Sequence, residues 1–316
     1  MLSSFESAKI LINQSQKILI TTHERTDGDD LGTALAFRDH LVREGKSVTV
    51  AIVGGVPKQL QFLPGSETVI EDIDSTDFDL LIISGCSNLQ RIGNEKIINL
   101  EVAKLNIDHH RDNAMYGTVN IVDPAKSSVA ELAFDFFKYT EQEISPTMAT
   151  CMLTGIFTDT GSFMHSNTES STLRAASELM SKGALVHTVA KNTFQGKDLS
   201  ALRAWGRALE NTYFDENNKV IYSVITEQDM IDLGNIPQSA FEGLVETLNK
   251  VPEAKVALFL KQDGEVIKGS LRSELYKGVN VNKIAKIFGG GGHALASGFS
   301  VMGKLTKDEL GVWQVV

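Results

Sequence analysis

Basic charge is in short supply in this 316-residue chain: 30 lysines and arginines face 40 aspartates and glutamates, for a formal net charge of −10. A protein that tracks along a long nucleic acid draws most of its affinity from a broad basic face. The balance therefore argues against a long duplex as partner and favours a small substrate gripped by a few placed cations. Cysteine is almost absent. Cys86 and Cys151 lie far apart and form no redox or metal-spaced pair, a pattern suited to a reducing cytosol. No basic segment at the start leads into an apolar run, which argues against a signal peptide, and no stretch approaches the ~18 apolar residues of a spanning helix. Low-complexity sequence is missing too, except for the run Gly289 to Gly292. These absences predict a cytoplasmic protein with no membrane partner.

What is present is an ordinary globular mix, 42% hydrophobic and 22% charged, in a chain long enough for two domains. In the first half, nearly unbroken apolar runs alternate with helical patterns. Lys17–Thr22, Ser47–Val53, Asp79–Ser84 and Ala103–Ile107 read as strands buried on both faces of a parallel sheet. Leu31–Arg43, Ser128–Tyr139 and Pro146–Phe157 read as helices. Beyond residue 200 the pattern changes. Lys219–Thr226, Ala254–Lys261 and Glu265–Arg272 read as strands, the last two joined by the hairpin signal Asp263-Gly264. The expectation is an α/β protein with a doubly wound, mainly parallel N-terminal domain over 1–192. A helical connector over 193–212 then leads to a smaller C-terminal α/β domain over 213–316.

Three polar clusters follow directly on strand-like runs: His23 to Asp29, Gly85 to Asn88, and Asp108-His109-His110. A fourth, Thr158 to Gly161, ends an apolar helix. Ligands of open α/β sheets bind beyond the carboxyl ends of the strands, so parallel strands would gather these clusters at one edge. Imidazole and carboxylate without thiolate favour Mn²⁺, Co²⁺ or Mg²⁺ over structural zinc. Two such ions ~3.5–4 Å apart can clamp the phosphoryl oxygens of an in-line displacement.

The residues also carry a resemblance. His23-x-x-x-Asp27-Gly28-Asp29, Asp108-His109-His110 and Asp159-Thr160-Gly161 resemble three signature motifs of the DHH superfamily of phosphoesterases. Gly289 to His293 followed by Ala296-Ser297-Gly298, with Ser270 to Ser273, resembles the signature of its associated C-terminal domain. The likeness is nearest to the branch that hydrolyses short oligonucleotides and 3′-phosphoadenosine 5′-phosphate. It implies two divalent ions, with Mn²⁺ first and Mg²⁺ or Co²⁺ as alternatives. His23 and Asp27 would hold one ion; Asp29, His109 and Asp159 would hold the other. Asp108 would fix a histidine tautomer and His110 would touch the substrate phosphate. Arg272, Ser273 and His293 would grip the nucleotide, with the amides of Gly290, Gly291 and Gly292 forming an anion nest. The active site would lie in a cleft between the domains. The implied partners are short single-stranded oligonucleotides or small nucleotides, with room for a homodimer.

One departure bears on function. Where the superfamily has an aspartate that bridges both ions, this sequence has Gly85. Loss of a shared carboxylate should weaken the centre. This gives an alternative reading, a nucleotide-binding homologue with reduced catalysis, and an expectation that Gly85→Asp raises activity by orders of magnitude.

Overall fold

The computed structural model describes residues 2–194, 199–308 and 313–316. The chain divides into two compact units, Met1–Gly196 and Lys197–Val316.

The first unit is built on β1 (Lys17–Thr22), β2 (Ser47–Val50), β3 (Leu80–Ser84), β4 (Ala103–Asp108) and β5 (Val119–Val122), in the order β2-β1-β3-β4-β5 with every neighbour parallel. Its helices are α1 (Leu2–Gln14), α2 (Gly28–Arg43), α3 (Glu95–Ile98), α4 (Val129–Tyr139), α5 (Pro146–Asp159), α6 (Ser170–Ser181) and α7 (Val186–Phe194). The unbroken apolar runs are explained by two cores, one on each face of the sheet. Ile18, Ile20, Leu80, Ile82, Leu105 and Ile107 join one core, while Leu19, Leu81 and Ile83 join the other. The chain leaves β1 for β2 on one side and returns to β3 on the other. The strand order therefore reverses between β1 and β3, where such sheets open a crevice at their carboxyl ends. The short edge strand β5 was not expected; it has only four residues, one of them Asn120.

Helix α2 starts where Asp27 turns its side chain back on the first amides, accepting from Asp29 N and Asp30 N. Its first turns lie tightly against α5. A Cβ at Gly32 would stand 2.4 Å from the Cys151 carbonyl oxygen, and one at Gly28 2.6 Å from Thr158 Oγ1. Backbone cannot yield as a flexible side chain can. Gly32→Ala is therefore expected to destabilise the fold by about 1–3 kcal/mol, the usual cost of overpacking, read from the midpoint of urea unfolding.

The second unit contains a mixed sheet in the order β10-β11-β9-β8-β7-β6. Its strands are β6 (Thr212–Asp215), β7 (Val220–Ile225), β8 (Val256–Asp263), β9 (Val266–Arg272), β10 (Gly291–Gly292) and β11 (Ala296–Met302). Only β7 and β8 are parallel neighbours. The β8–β9 hairpin turns at Gly264, whose φ of +62° suits glycine. A separate pair, β12 (Leu305–Lys307) and β13 (Trp313–Val315), follows. The helices are α8 (Leu199–Glu210), α9 (Glu227–Asp232), α10 (Leu244–Leu248) and α11 (Val281–Ile287). The helix expected as a connector, α8, is a core element here: Ala201, Ala204 and Ala208 pack with Ile221, Ile225 and Leu244. Residues 195–198 of that expected connector lie outside the described residues. No described helix is long and apolar enough to cross a membrane.

Candidate metal centre

In the first sheet Thr22 of β1 pairs with Ser84 of β3, and Ser84 with Ile107 of β4. His23, Gly85 and Asp108 are thereby set side by side at the strand tips, with the first turn of α2 beside them. Two groups of donors result. His23, Asp27 and Asp30 form one, and Asp29, His109 and Asp159 the other; within each group the three donor atoms lie within 4.8 Å of one another.

The histidine tautomers are fixed by their neighbours. His23 Nδ1 lies 2.6 Å from the Glu24 carbonyl oxygen, and His109 Nδ1 lies 3.2 Å from that of Lys126. A carbonyl oxygen can only accept, so each Nδ1 carries the proton and each Nε2 presents a lone pair, the arrangement of a metal-ligating histidine. His23 Nε2 then faces Asp30 Oδ2 at 2.7 Å, and His109 Nε2 faces Asp159 Oδ2 at 3.7 Å. A lone pair opposed to a carboxylate requires a proton or a cation between them.

Asp29 is anchored by the start of α4. Its two carboxylate oxygens accept from Val129 N at 2.7 Å and Ala130 N at 2.9 Å. Even so, its carboxyl is held well above the usual carboxylate range, by burial first and then by the negative charge of Asp159, Asp30 and Asp27. Asp159 is shifted upward as well, burial again being the main cause, with His109 opposing it. Asp30, only 3% exposed, is pushed up to about 7 by burial and Asp27, against the pull of His23 and His110. Buried carboxylates that repel one another, set among imidazole lone pairs, fit a pair of divalent cations. The buried Thr26 and Ser84 hydroxyls, which have no hydrogen-bond partner, flank the same strand tips.

Asp108 stands apart from both groups. Fully buried, it accepts at Oδ1 from the amides of His109 and His110 and from His110 Nδ1 at 2.6 Å, and at Oδ2 from Asn113. Burial opposes its charge, but the bonds from His110 and Asn113 prevail and keep its carboxyl below the usual range. The histidine it orients is His110, whose pKa it raises.

Two features were missed in the sequence. Asp30 belongs to the first donor group, although the motif appeared to end at Asp29; the tandem Asp29-Asp30 was the available signal. A cavity of about 260 Å³ beside His23 is lined by Glu24, Arg25 and Arg91. Arg91 sits in a single turn of 3₁₀ helix, Leu89–Ile92, directly after the β3 tip, and its charge acts on His110.

Comparison with known proteins places this geometry in a family. The description "DHH family, N-terminal domain" matches residues 17–156, and "DHHA1 domain" matches residues 217–310. The chain is 30% identical to the bifunctional oligoribonuclease and PAP phosphatase NrnA of Thermus thermophilus, over 94% of this chain and 87% of that protein. The chain belongs to the DHH family. A Bacillus subtilis NrnA is 27% identical, over 90% of this chain and 89% of that one. Among solved structures, an exopolyphosphatase-related protein from Bacteroides fragilis superposes with a TM-score of 0.86 at 26% identity, covering 95% of this chain and 91% of that one. The manganese-bound exonuclease RecJ, at 13% identity and a TM-score of 0.51, shares the fold. The chain is thus a DHH phosphoesterase with a DHHA1 domain.

Within the DHHA1 domain, the residues expected to grip a nucleotide gather where β9 ends beside the β10–β11 turn. Arg272 pairs in register with Ala296, and Ser273 N donates to the Leu295 carbonyl. Their side chains are occupied. Arg272 forms an ion pair with Glu246, its Nη2 2.8 Å from Oε1, and the buried Ser273 hydroxyl donates to the Lys255 carbonyl at 2.8 Å. The glycine run does not form the expected nest throughout. The amides of Gly289 and Gly290 donate to Lys286 and Ala285 at the end of α11, and that of His293 donates to Ala296. Gly291 and Gly292 pair with Gly298 and Ser297 of β11. Gly290 is required by packing, since a Cβ there would lie 2.1 Å from the Gly298 carbonyl oxygen. The His293 side chain is exposed.

Position 85 corrects an expectation. The space above Gly85 is filled: a Cβ there would stand 1.5 Å from Asp30 Oδ1, on a backbone with φ of +68°. An aspartate added alone would set its side chain on the Asp30 carboxylate, so Gly85→Asp by itself is not expected to be the activating change that the sequence suggested.

Proposed function

We propose that this DHH phosphoesterase uses two divalent cations, Mn²⁺ preferred, to release mononucleotides from short single-stranded oligonucleotides, and that it also hydrolyses 3′-phosphoadenosine 5′-phosphate. The observation that carries this reading is the pair of three-donor groups drawn from the tips of β1 and β4, the start of α2 and the end of α5. The NrnA relatives, named as oligoribonucleases and PAP phosphatases, support the substrate class. In this reading His23 and Asp27 hold one ion, while Asp29, His109 and Asp159 hold the other. The ions supply charge neutralisation at the phosphoryl group and a nucleophile from water at neutral pH. Asp108 accepts from His110 Nδ1 and raises the pKa of that ring, which favours the imidazolium whose Nε2–H donates to a phosphoryl oxygen. Arg25 and Arg91 offer guanidinium donors to an anionic group in the cavity beside His23, which is too small for most drug-sized ligands and suited to a phosphate. Arg272 and the exposed His293 serve as the nucleotide grip, with Ser273 and Gly290 to Gly292, whose hydrogen bonds lie within the domain, shaping the turn that carries them. Two buried free thiols agree with a cytoplasmic setting. The alternative is a nucleotide-binding homologue with reduced catalysis; the Asp30 carboxylate in the space above Gly85 supports the enzyme reading over it.

The test is a substrate panel in Mn²⁺: dinucleotides, a 24-residue oligonucleotide and 3′-phosphoadenosine 5′-phosphate. Mononucleotide release from the short substrates, with the long one cut slowly, is expected; preferential cutting of the long one contradicts the reading. Arg272→Ala is expected to raise KM for a dinucleotide about 10-fold or more with metal content unchanged, as loss of a charge-assisted contact implies. An unchanged KM removes Arg272 from the grip. Arg91→Ala should act in the same direction, and a normal KM there would show that the cavity beside His23 is no phosphate subsite.

A further inference from the structure

We infer that Asp30 is a metal ligand that carries, from the first turn of α2, the carboxylate that residue 85 would otherwise supply from the tip of β3. The inference rests on the two-metal reading above and assigns this chain's own way of completing the centre.

Three observations on Asp30 and Gly85 carry it. First, the atoms that meet a Cβ at Gly85 are the carboxylate itself: Asp30 Oδ1 at 1.5 Å, Cγ at 2.1 Å and Oδ2 at 2.5 Å. A side chain from position 85 and the head group of Asp30 therefore address one volume. Glycine at 85 is what an aspartate at 30 requires, and the pair must change together. Second, Asp30 has no structural duty that would justify burying its charge. Asp27 caps α2 through Oδ1, and Asp29 satisfies two amides of α4, but among the described residues the Asp30 carboxylate meets only His23 Nε2 as a hydrogen-bonding group. A buried carboxylate without backbone donors is strongly disfavoured unless a cation or proton accompanies it. Third, its single partner has Nδ1 committed to the Glu24 carbonyl, so Oδ2 and the Nε2 lone pair converge on one point. Donors 2.7 Å apart need to open only slightly to share an ion held at about 2.1 Å, for which adjacent donors stand roughly 3 Å apart.

The experiment measures Mn²⁺ stoichiometry and affinity by equilibrium dialysis, with electron paramagnetic resonance to detect ion–ion coupling. It compares the native chain, Asp30→Asn, Gly85→Asp and the double variant Asp30→Ala with Gly85→Asp. The native chain should bind two coupled ions. Asp30→Asn, which keeps the shape of the side chain, should weaken one of them about 100-fold or more, beyond the effect usual for a residue that only supports a ligand. Gly85→Asp alone should lower thermal stability and gain no affinity. The double variant should recover the second ion, because aspartate is among the side chains that tolerate the left-handed region. Two tight ions in Asp30→Asn, tighter binding in Gly85→Asp alone, or a folded double variant that binds only one ion would each overturn the inference while leaving the two-metal reading intact. Fewer than two ions in the native chain would instead defeat that reading.

Discussion

Asp159→Asn and His109→Ala are each expected to lower turnover of a dinucleotide by about 10²–10³-fold or more, the scale on which one charge-stabilising group at a reacting phosphate counts, and to leave the protein folded. Both side chains stand at the carboxyl edge of the sheet, outside the apolar cores. Asp159 is the last residue of α5, where the helix dipole disfavours a carboxylate. Burial and the neighbouring negative charges disfavour it further. Fold stability gives no reason for an aspartate at that position, which is why its removal should cost activity and not structure. In the metal-free protein, Asp159→Asn is expected to raise the melting temperature; in Mn²⁺ it should forfeit most of the stabilisation that the ions confer on the native chain. Full turnover in either variant would remove the second donor group from the site.

A second large effect is expected in the pH dependence of the metal-free protein. Asp30 has its carboxyl raised from 3.8 to about 7 in the fold, and Asp29 and Asp159 are shifted in the same direction. Between these values the native state binds protons that the unfolded chain has released. The slope of stability against pH is then negative, and stability falls as pH rises through about 7. His23 and His110, both raised, act in the same sense, since a raised histidine stabilises below its unfolded pKa and ceases to do so above its folded one. Asp108 and Glu131 are depressed, so their contribution is lost only in stronger acid, as pH falls through their folded values. The metal-free chain should therefore melt at a higher temperature near pH 5.5 than near pH 8, and saturating Mn²⁺ should flatten or reverse that trend because ions replace the protons. A metal-free melting temperature that rises from pH 5.5 to 8 would show that the carboxylates are not held together as described.

The first unit was largely legible in the sequence because its strands are buried on both faces. Lys17–Thr22 reads as an unbroken apolar run since Ile18 and Ile20 serve one core and Leu19 the other. The chemistry was legible for a related reason: polar residues placed directly after such runs reach the strand tips without any long-range information. What could not be read was compensation across the sheet. Gly85 looked like a lost ligand because the residue that occupies its space lies 55 positions earlier on α2, and only the fold brings Asp30 to it. Arg91 escaped notice since a lone arginine in a turn carries no pattern. The glycine run looked like an anion nest because its amide partners, the carbonyls of Ala285 and Lys286, come from the end of the preceding helix. Strand β5 and the two-residue β10 were too short to show a period.

Two ions held between the tips of β1 and β4 and the adjoining ends of α2 and α5 are central to the proposed chemistry. The most direct measurement is a Mn²⁺ titration of the chelator-treated native chain, counting bound ions while following hydrolysis of a dinucleotide in the same samples. Activity is expected to appear only as the second ion binds, at two ions per chain, with spin coupling between them. Full hydrolysis with no ion or one ion bound would contradict it, as would two bound ions without coupling.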